Sequence, residues 1–351
     1  MKRNHFLTLI ALIFVAARAC LPTTAFAQAP KEDKNAVTFE ELYDEPYAVN
    51  KLFIGFQPLY AEVFATNTNA GFGGIAQYFH KDKFNIQAQM RMTYGSAFFD
   101  YNHQLAINNS NVDNVPAAYR YFELGGTYHI KDSEATGKTK MTLYKSSYKG
   151  NKWASRVPLQ TEVPAKLRKI YGARLGAITW SSTTNLSGAL KKQNLTNADL
   201  VNDSGEGLPE TITRNNQQQP FYVFSNVNSA AVYIGGSITR IRNVAVSFDN
   251  YEGGLDDGIL TLYADILYAP MVKLDNIEYN NVKYSVGKLK MNPIGFRLGM
   301  DGKFNRSLSW GYGGEIGYRP SIKGRSFYTM FRISLPMFGT NLENKVESFA
   351  K

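Results

Sequence analysis

The chain has 351 residues, one cysteine and a formal net charge of +10; 44 % of its residues are hydrophobic, 13 % aromatic and 19 % charged. A lone cysteine excludes an intramolecular disulfide, and no segment, the apolar run near the start included, reaches the run of about 18 apolar residues that a transmembrane helix needs. The basic residues are scattered rather than gathered into a patch, so nucleic acid is not an expected partner.

The first element is a targeting segment. Lys2 and Arg3 precede an apolar run from Phe6 to Ala17, and Ala25-Phe26-Ala27 precedes Gln28. A basic start, a short apolar core and an Ala-x-Ala site predict a secretory signal peptide, residues 1–27, cleaved after Ala27. Cys20 as a lipid attachment site is the poorer reading, because Arg18 stands where a small uncharged residue is needed. Losing Lys2, Arg3 and Arg18 takes the net charge from +10 to +7 and removes the cysteine, and with it any thiol nucleophile or thiolate metal site. Residues 28–51 form a polar segment whose cluster Glu40, Glu41, Asp44 and Glu45 reads as a solvated face.

From residue 52 the chain alternates. Leu52, Ile54, Phe56 and Tyr60 share one parity, and a glycine-rich second strand runs from Gly71 to His80. Gly71–Gly74 is no phosphate loop, since no Gly-Lys-Ser/Thr follows; the glycines relieve crowding on a curved sheet. After the turn His80–Lys83, Phe84, Ile86, Ala88, Met90, Met92 and Tyr94 oppose Asn85, Gln87, Gln89, Arg91 and Thr93 without a parity error. Residues 97–118 are an Asn-rich loop. Phe122, Leu124, Tyr128 and Ile130 then face away from Glu123, Thr127 and His129. Asp132–Lys138 reads as a turn, Thr139–Ser147 as a further strand, 148–166 as basic loop, and Lys169–Trp180 as a strand of either parity.

Residues 181–219 are rich in Asn, Gln, Ser and Thr and cannot bury much apolar surface. Ala231–Asn250 is one long strand or two. Asp249, Glu252, Asp256 and Asp257 around Gly253 and Gly258 read as a hairpin turn rather than a calcium loop, because the spacing is not that of an EF-hand. Leu260, Leu262, Ala264, Ile266 and Tyr268 oppose Thr261, Tyr263 and Asp265. A strand is expected near Val282–Val286.

The stretch Phe296–Phe338 closes the pattern. Phe296, Leu298, Met300 and Phe304 alternate with Arg297, Asp301 and Lys303; after a turn at Asn305–Ser307, Leu308, Trp310, Tyr312, Ile316 and Tyr318 alternate with Glu315 and Arg319; Phe327, Phe331, Ile333, Leu335 and Met337 oppose Ser326, Arg332 and Ser334. Period-two alternation over consecutive segments predicts a β-meander. A soluble sandwich or a membrane barrel could reward it. Rings at the segment ends (Phe296 and Phe304, Trp310 and Tyr318, Phe327 and Phe338) suit two membrane interfaces, and a long loop such as 181–219 suits an outer-membrane barrel better than a compact soluble domain. The expected architecture is an all-β antiparallel transmembrane barrel over residues 52–338, of 12 strands (12–14), with a polar tail, 339–351.

The inward-facing candidates are Arg91, Glu123, His129, Arg297, Asp301, Glu315 and Arg319, with Lys303 beside them. Opposed charges could line a pore with a transverse field, or pair and fill a narrow interior. No cofactor, metal site or enzyme activity is expected. The four histidines, His5, His80, His103 and His129, show no metal-ligand spacing, and no Gly-x-Ser-x-Gly marks a nucleophile.

Signal peptide, alternating strands, ring-bearing strand ends and Asn-rich loops together resemble Gram-negative outer-membrane β-barrel proteins, and the Tyr-, Asn- and Lys-rich style is similar to that of the Bacteroidota. The resemblance implies an outer-membrane location, contact with outer-membrane lipid and lipopolysaccharide, and protein partners at the extracellular loops. A terminal aromatic residue, which the insertion machinery of such barrels reads, is here Phe338 followed by the tail. The expected function is a channel for small polar or anionic solutes; the alternative is a non-conducting barrel serving as an anchor or as part of a surface or secretion assembly.

Overall fold

The computed structural model describes residues 39–340 apart from 81, 96–98, 144–158, 215, 249–253 and 306–309. The expected signal peptide and its cleavage site, residues 28–38, residues 341–351 of the tail, and the turn residues Lys81, Asp249, Glu252, Gly253, Arg306 and Ser307 lie outside the described residues, as does Leu308.

Ten antiparallel strands close into a barrel. In chain order they are β1 (Leu52–Phe64), β2 (Thr68–His80), β3 (Phe84–Thr93), β4 (Arg120–Leu143), β5 (Leu159–Asn185), β6 (Phe224–Arg242), β7 (Gly258–Leu274), β8 (Ile294–Phe304), β9 (Gly311–Tyr318) and β10 (Phe327–Gly339). Each pairs with its neighbours in sequence, and β10 closes on β1, with Phe331 opposite Ala61. Closure leaves no free edge, which is why so long a run of alternating strands is stable without a second sheet.

The strand number corrects the expectation of 12, for three local reasons. Asp132–Lys138 does not turn: β4 runs on through it, paired to β5 from Arg120↔Ser181 to Leu143↔Leu159, so Thr139–Leu143 adds length rather than a strand. Val282–Tyr284 pairs with Ile277–Tyr279 in a separate hairpin. Val244–Phe248 leaves the barrel after β6 and pairs with Phe39–Asp44 and Gly254–Asp256 in a small three-stranded sheet. Polar residues in β4 and β5 suggested loop because this hairpin projects beyond the barrel, where no wholly apolar face is required.

A second correction concerns Tyr60. The register of β1 slips against β2 between Gln57 and Tyr60, around Pro58, which has no N–H to give to a ladder. Ile54 and Phe56 point outward before the bulge, Leu59 and Val63 after it, and Tyr60 turns to the interior, fully buried.

The strand ends define two poles. At the terminal pole lie the start of β1, the end of β10, the short β2–β3 turn, the projecting β4–β5 hairpin and the three-stranded sheet. At the loop pole lie the connections 94–119, 186–223, 275–293 and 319–326 together with the tight turn 65–67. These connections are folded. They include helices α1 (Tyr101–Asn109) and α2 (Leu186–Lys192), and a hairpin of Thr211–Arg214 with Gln217–Pro220. The region 181–219, expected to be the least structured, therefore carries secondary structure. Asn185 caps α2 by accepting from the Gly188 N–H at 2.9 Å.

Candidate functional site: the barrel interior

The wall has reversed polarity. Outward lie Met90 and Met92 on β3, Phe122 and Leu124 on β4, Leu262 and Ile266 on β7, Leu298 and Met300 on β8 and Phe331 on β10, all exposed. Inward on the same strands lie Arg91, Glu123, Asp265, Arg297 and Arg332, each 3 % exposed or less. Rings cluster near both poles: Phe296, Tyr318 and Phe327 are linked at 5.2 and 5.7 Å toward the loop pole, and His80 stacks on Phe84 at 4.8 Å toward the terminal pole.

The inward charges meet at the centre. Arg297 donates through Nη2 and Nη1 to Glu123 (2.6 and 3.0 Å) and through Nε to Asp265 (2.7 Å), with Glu315 at 3.8 Å. Arg174 reaches Asp265 from the opposite side at 2.9 Å. Glu315 accepts from Tyr263 and Tyr328 (each 3.1 Å) and from Arg332 (3.3 Å), and Arg332 also pairs with Asp301 and with Gln89 at 2.9 Å. Closer to the loop pole, Arg319 grips Glu62 with two bonds of 3.0 and 2.8 Å. Arg91 stands 4.0 Å from Glu62 and is stacked on the Tyr121 ring at 3.8 Å. Arg91, Arg174, Arg297, Arg319 and Arg332 thus face Glu62, Glu123, Asp265, Asp301 and Glu315, a balance that offsets much of the cost of removing each ion from water.

Small residues make this packing fit. A side chain on Gly125 or Gly176 would collide with the Tyr233 ring, and one on Gly313 would collide with the Arg332–Asp301 pair. Relief of crowding, the expected role of glycine in this sheet, here takes the form of seats for rings and ions.

Of the seven candidates, Glu123, Arg297 and Glu315 come together directly, and Asp301 joins them through Arg332. Arg319 and Arg91 share Glu62. His129 stands apart near the terminal pole, donating through Nδ1 to the Asp82 carbonyl (2.9 Å) and accepting from the Asn85 amide (3.3 Å), with no serine or carboxylate bonded to it among the described residues. No group of three or more metal-ligating side chains occurs among the described residues. Four partners escaped the sequence reading of the site. Glu62 was hidden by the bulge at Pro58, and Arg174 by the ambiguous parity of its strand. Asp265 and Arg332 lay on faces already identified as polar, and alternation alone could have found them.

The loop pole limits access. At the loop pole Tyr60, Phe64, Trp180, Leu186, Leu190 and Tyr328 belong to one apolar cluster that joins the barrel interior to the folded connections. The turn 65–67 is tied into it by Asn67, which donates to Asp100 (2.6 Å) and Ser182 (2.7 Å), and by Asn102, which donates to the Thr66 carbonyl (2.6 Å). Toward the terminal pole a cavity of about 80 Å³ remains, lined by Gln77, Asn85, Thr127, Thr261, Lys303 and Ser334 among others. Lys303 bonds to Gln77 and lies 4.0 Å from the Phe53 ring.

No protein-family profile and no curated protein matches the sequence. Among solved structures, similarity is found to a porin refined at 1.8 Å (TM-score 0.15, 6 % identity, 75 % of this chain and 62 % of that one), to the transport unit of the autotransporter AIDA-I from Escherichia coli (0.18, 10 %, 92 % and 96 %), and to a loop-deleted form of OmpT, an outer membrane protein of Vibrio cholerae (0.16, 9 %, 86 % and 98 %). The match spans less than two thirds of the porin's length.

Proposed function

We propose that the protein is a β-barrel of the outer membrane with a closed interior, acting as an anchor or assembly component through its folded loop pole rather than as a conduit. Membrane placement is supported by the reversed polarity of the wall. A soluble protein hides its apolar face, whereas here the apolar side chains form the outer surface and the ions lie within. About ten residues of a strand tilted by roughly 40° cover about 25 Å, the height of the apolar band of an outer-membrane barrel. The rings near the two poles lie where headgroups would meet them. No described helix is long and apolar enough to cross a membrane.

The observation that carries the closed reading is the burial of the central guanidinium groups: Arg91, Arg297 and Arg319 are at most 1 % exposed. An aqueous channel would hydrate these ions; here they are neutralised by carboxylates and covered by tyrosine rings. Opening a path would break several mutually dependent pairs, each buried ion costing several kcal/mol when separated from its partner. The test is single-channel recording in planar bilayers with protein shown to be folded by its heat-modifiable gel mobility. Silence is the expected result. Discrete ohmic steps would overturn closure and restore the channel for small polar or anionic solutes.

A further inference from the structure

The outer wall carries a basic cluster that the interior does not use. Lys169 and Arg240 stand opposite one another on β5 and β6, and Lys131 on β4 is opposite Tyr171. These three cations form no salt bridge among the described residues. The nearby carboxylate Asp132 is turned to Arg168, which it binds at 2.9 Å. The ammonium of Lys169 lies 5.0 Å from the Tyr171 ring.

One step farther from the terminal pole the row Tyr171–Ile238–Leu262 is apolar, and beyond it comes the row Ala173–Gly236–Ala264. The small row leaves a shallow outward furrow of about 490 Å³, lined by Ile130, Tyr171, Ile238 and Leu262 among others. A side chain built on Gly236 meets nothing closer than 3.8 Å. Unpaired cations thus border an apolar trough on a surface otherwise suited to lipid.

We infer that this is a binding site for one phospholipid with an anionic headgroup. The phosphate would accept from Lys131, Lys169 and Arg240, and an acyl chain would occupy the furrow. The inference rests on the membrane reading above. It takes the terminal pole, opposite the connections 94–119, 186–223 and 275–293, as the side facing the phospholipid leaflet, because in barrels of this kind the long loops face outward and the short turns inward. Attraction between surface cations and anionic lipid is worth about fivefold in affinity per basic residue.

The test uses the full chain in nanodiscs of mixed phosphatidylglycerol and phosphatidylcholine, with native mass spectrometry of the released protein. Retained phosphatidylglycerol is expected to exceed phosphatidylcholine by roughly tenfold or more. The Lys131→Gln/Lys169→Gln/Arg240→Gln variant should lose that preference, and Gly236→Leu, which keeps the charges and fills the furrow, should reduce the number of retained lipids of either kind. Equal retention of both lipids, an unchanged preference in the triple variant, or displacement by lipopolysaccharide through the same residues would each overturn the site. Heat-modifiable mobility and protease protection in the nanodisc are read on every variant. Failure of the wild-type chain to insert is thereby distinguished from failure of the lipid site.

Discussion

The two halves of the barrel interior bury polar side chains in different ways. Around the centre and toward the loop pole, five arginines and five carboxylates interlock with tyrosines. Toward the terminal pole, amides and hydroxyls such as Gln77, Asn85, Thr127, Thr261 and Ser334 join Asp301 and Arg332 around a small cavity, and Lys303 has no carboxylate bonded to it among the described residues. Arg297, Arg319 and Arg332 are buried with hydrogen-bonded carboxylates from other strands, whereas Arg91, equally buried, has the Tyr121 ring and Glu62 at 4.0 Å beside it and no hydrogen bond among the described residues. The cavity is also lined by Arg174, so the empty volume lies at the border of the ion network, beside the one cation, Lys303, that it leaves without a bonded carboxylate among the described residues.

The largest expected effect tests the interlocked half. Arg297→Met would leave Glu123 and Asp265 buried without their main donor, costing about 3–5 kcal/mol; the measurement is the urea midpoint of unfolding in lipid vesicles. The double variant Arg297→Met/Glu123→Met, which leaves Asp265 to Arg174, should recover part of the loss, because it removes the orphaned charge. If Arg297→Met were neutral, the network would not be a buried one.

The cap comes next. Leu190 on α2 is 1 % exposed within the apolar cluster of the loop pole, and Leu190→Ala is expected to cost about 2–4 kcal/mol locally. Limited proteolysis should then cut within residues 186–223 while the strands stay protected. Simultaneous loss of loop and barrel would show that the two halves unfold as one unit.

The smallest effect belongs to the roomier half. Lys303→Met exchanges an ammonium beside two phenylalanine rings for an apolar chain of similar length, and is expected to change stability by no more than about 1 kcal/mol in either direction. A loss as large as that of Arg297→Met would erase the contrast between the halves.

How much was legible in the sequence follows the same physics. Segments whose two faces differ sharply, 84–94, 121–130, 259–268 and 296–304, were readable because each position contrasts with the next. The long β4–β5 hairpin was not, since beyond the barrel its faces lose that contrast and its Asp, Gly and Lys residues imitate a turn. Tyr60 was misplaced, and Glu62 missed, because of a single bulge, which shifts every later residue of a strand to the other face. The inward direction of Arg91, Glu123, Arg297, Glu315 and Arg319 followed from alternation. Their partners did not, because pairing across the interior depends on strand number and register, which one sequence does not contain.

The span of the central ion pairs has a consequence for assembly. Glu62 and Arg319 are separated by 257 residues, and Glu123 and Arg297 by 174. While the chain is an open sheet, these charges remain hydrated and unmatched, and only the meeting of β1 with β10 brings the outermost of them together. Closure of that seam is therefore also what neutralises the outermost pairs and expels water from around them. A barrel closed in the wrong register would trap mismatched ions and readily reopen, so the network serves as a check on closure, accepting one alignment of the seam and rejecting its neighbours.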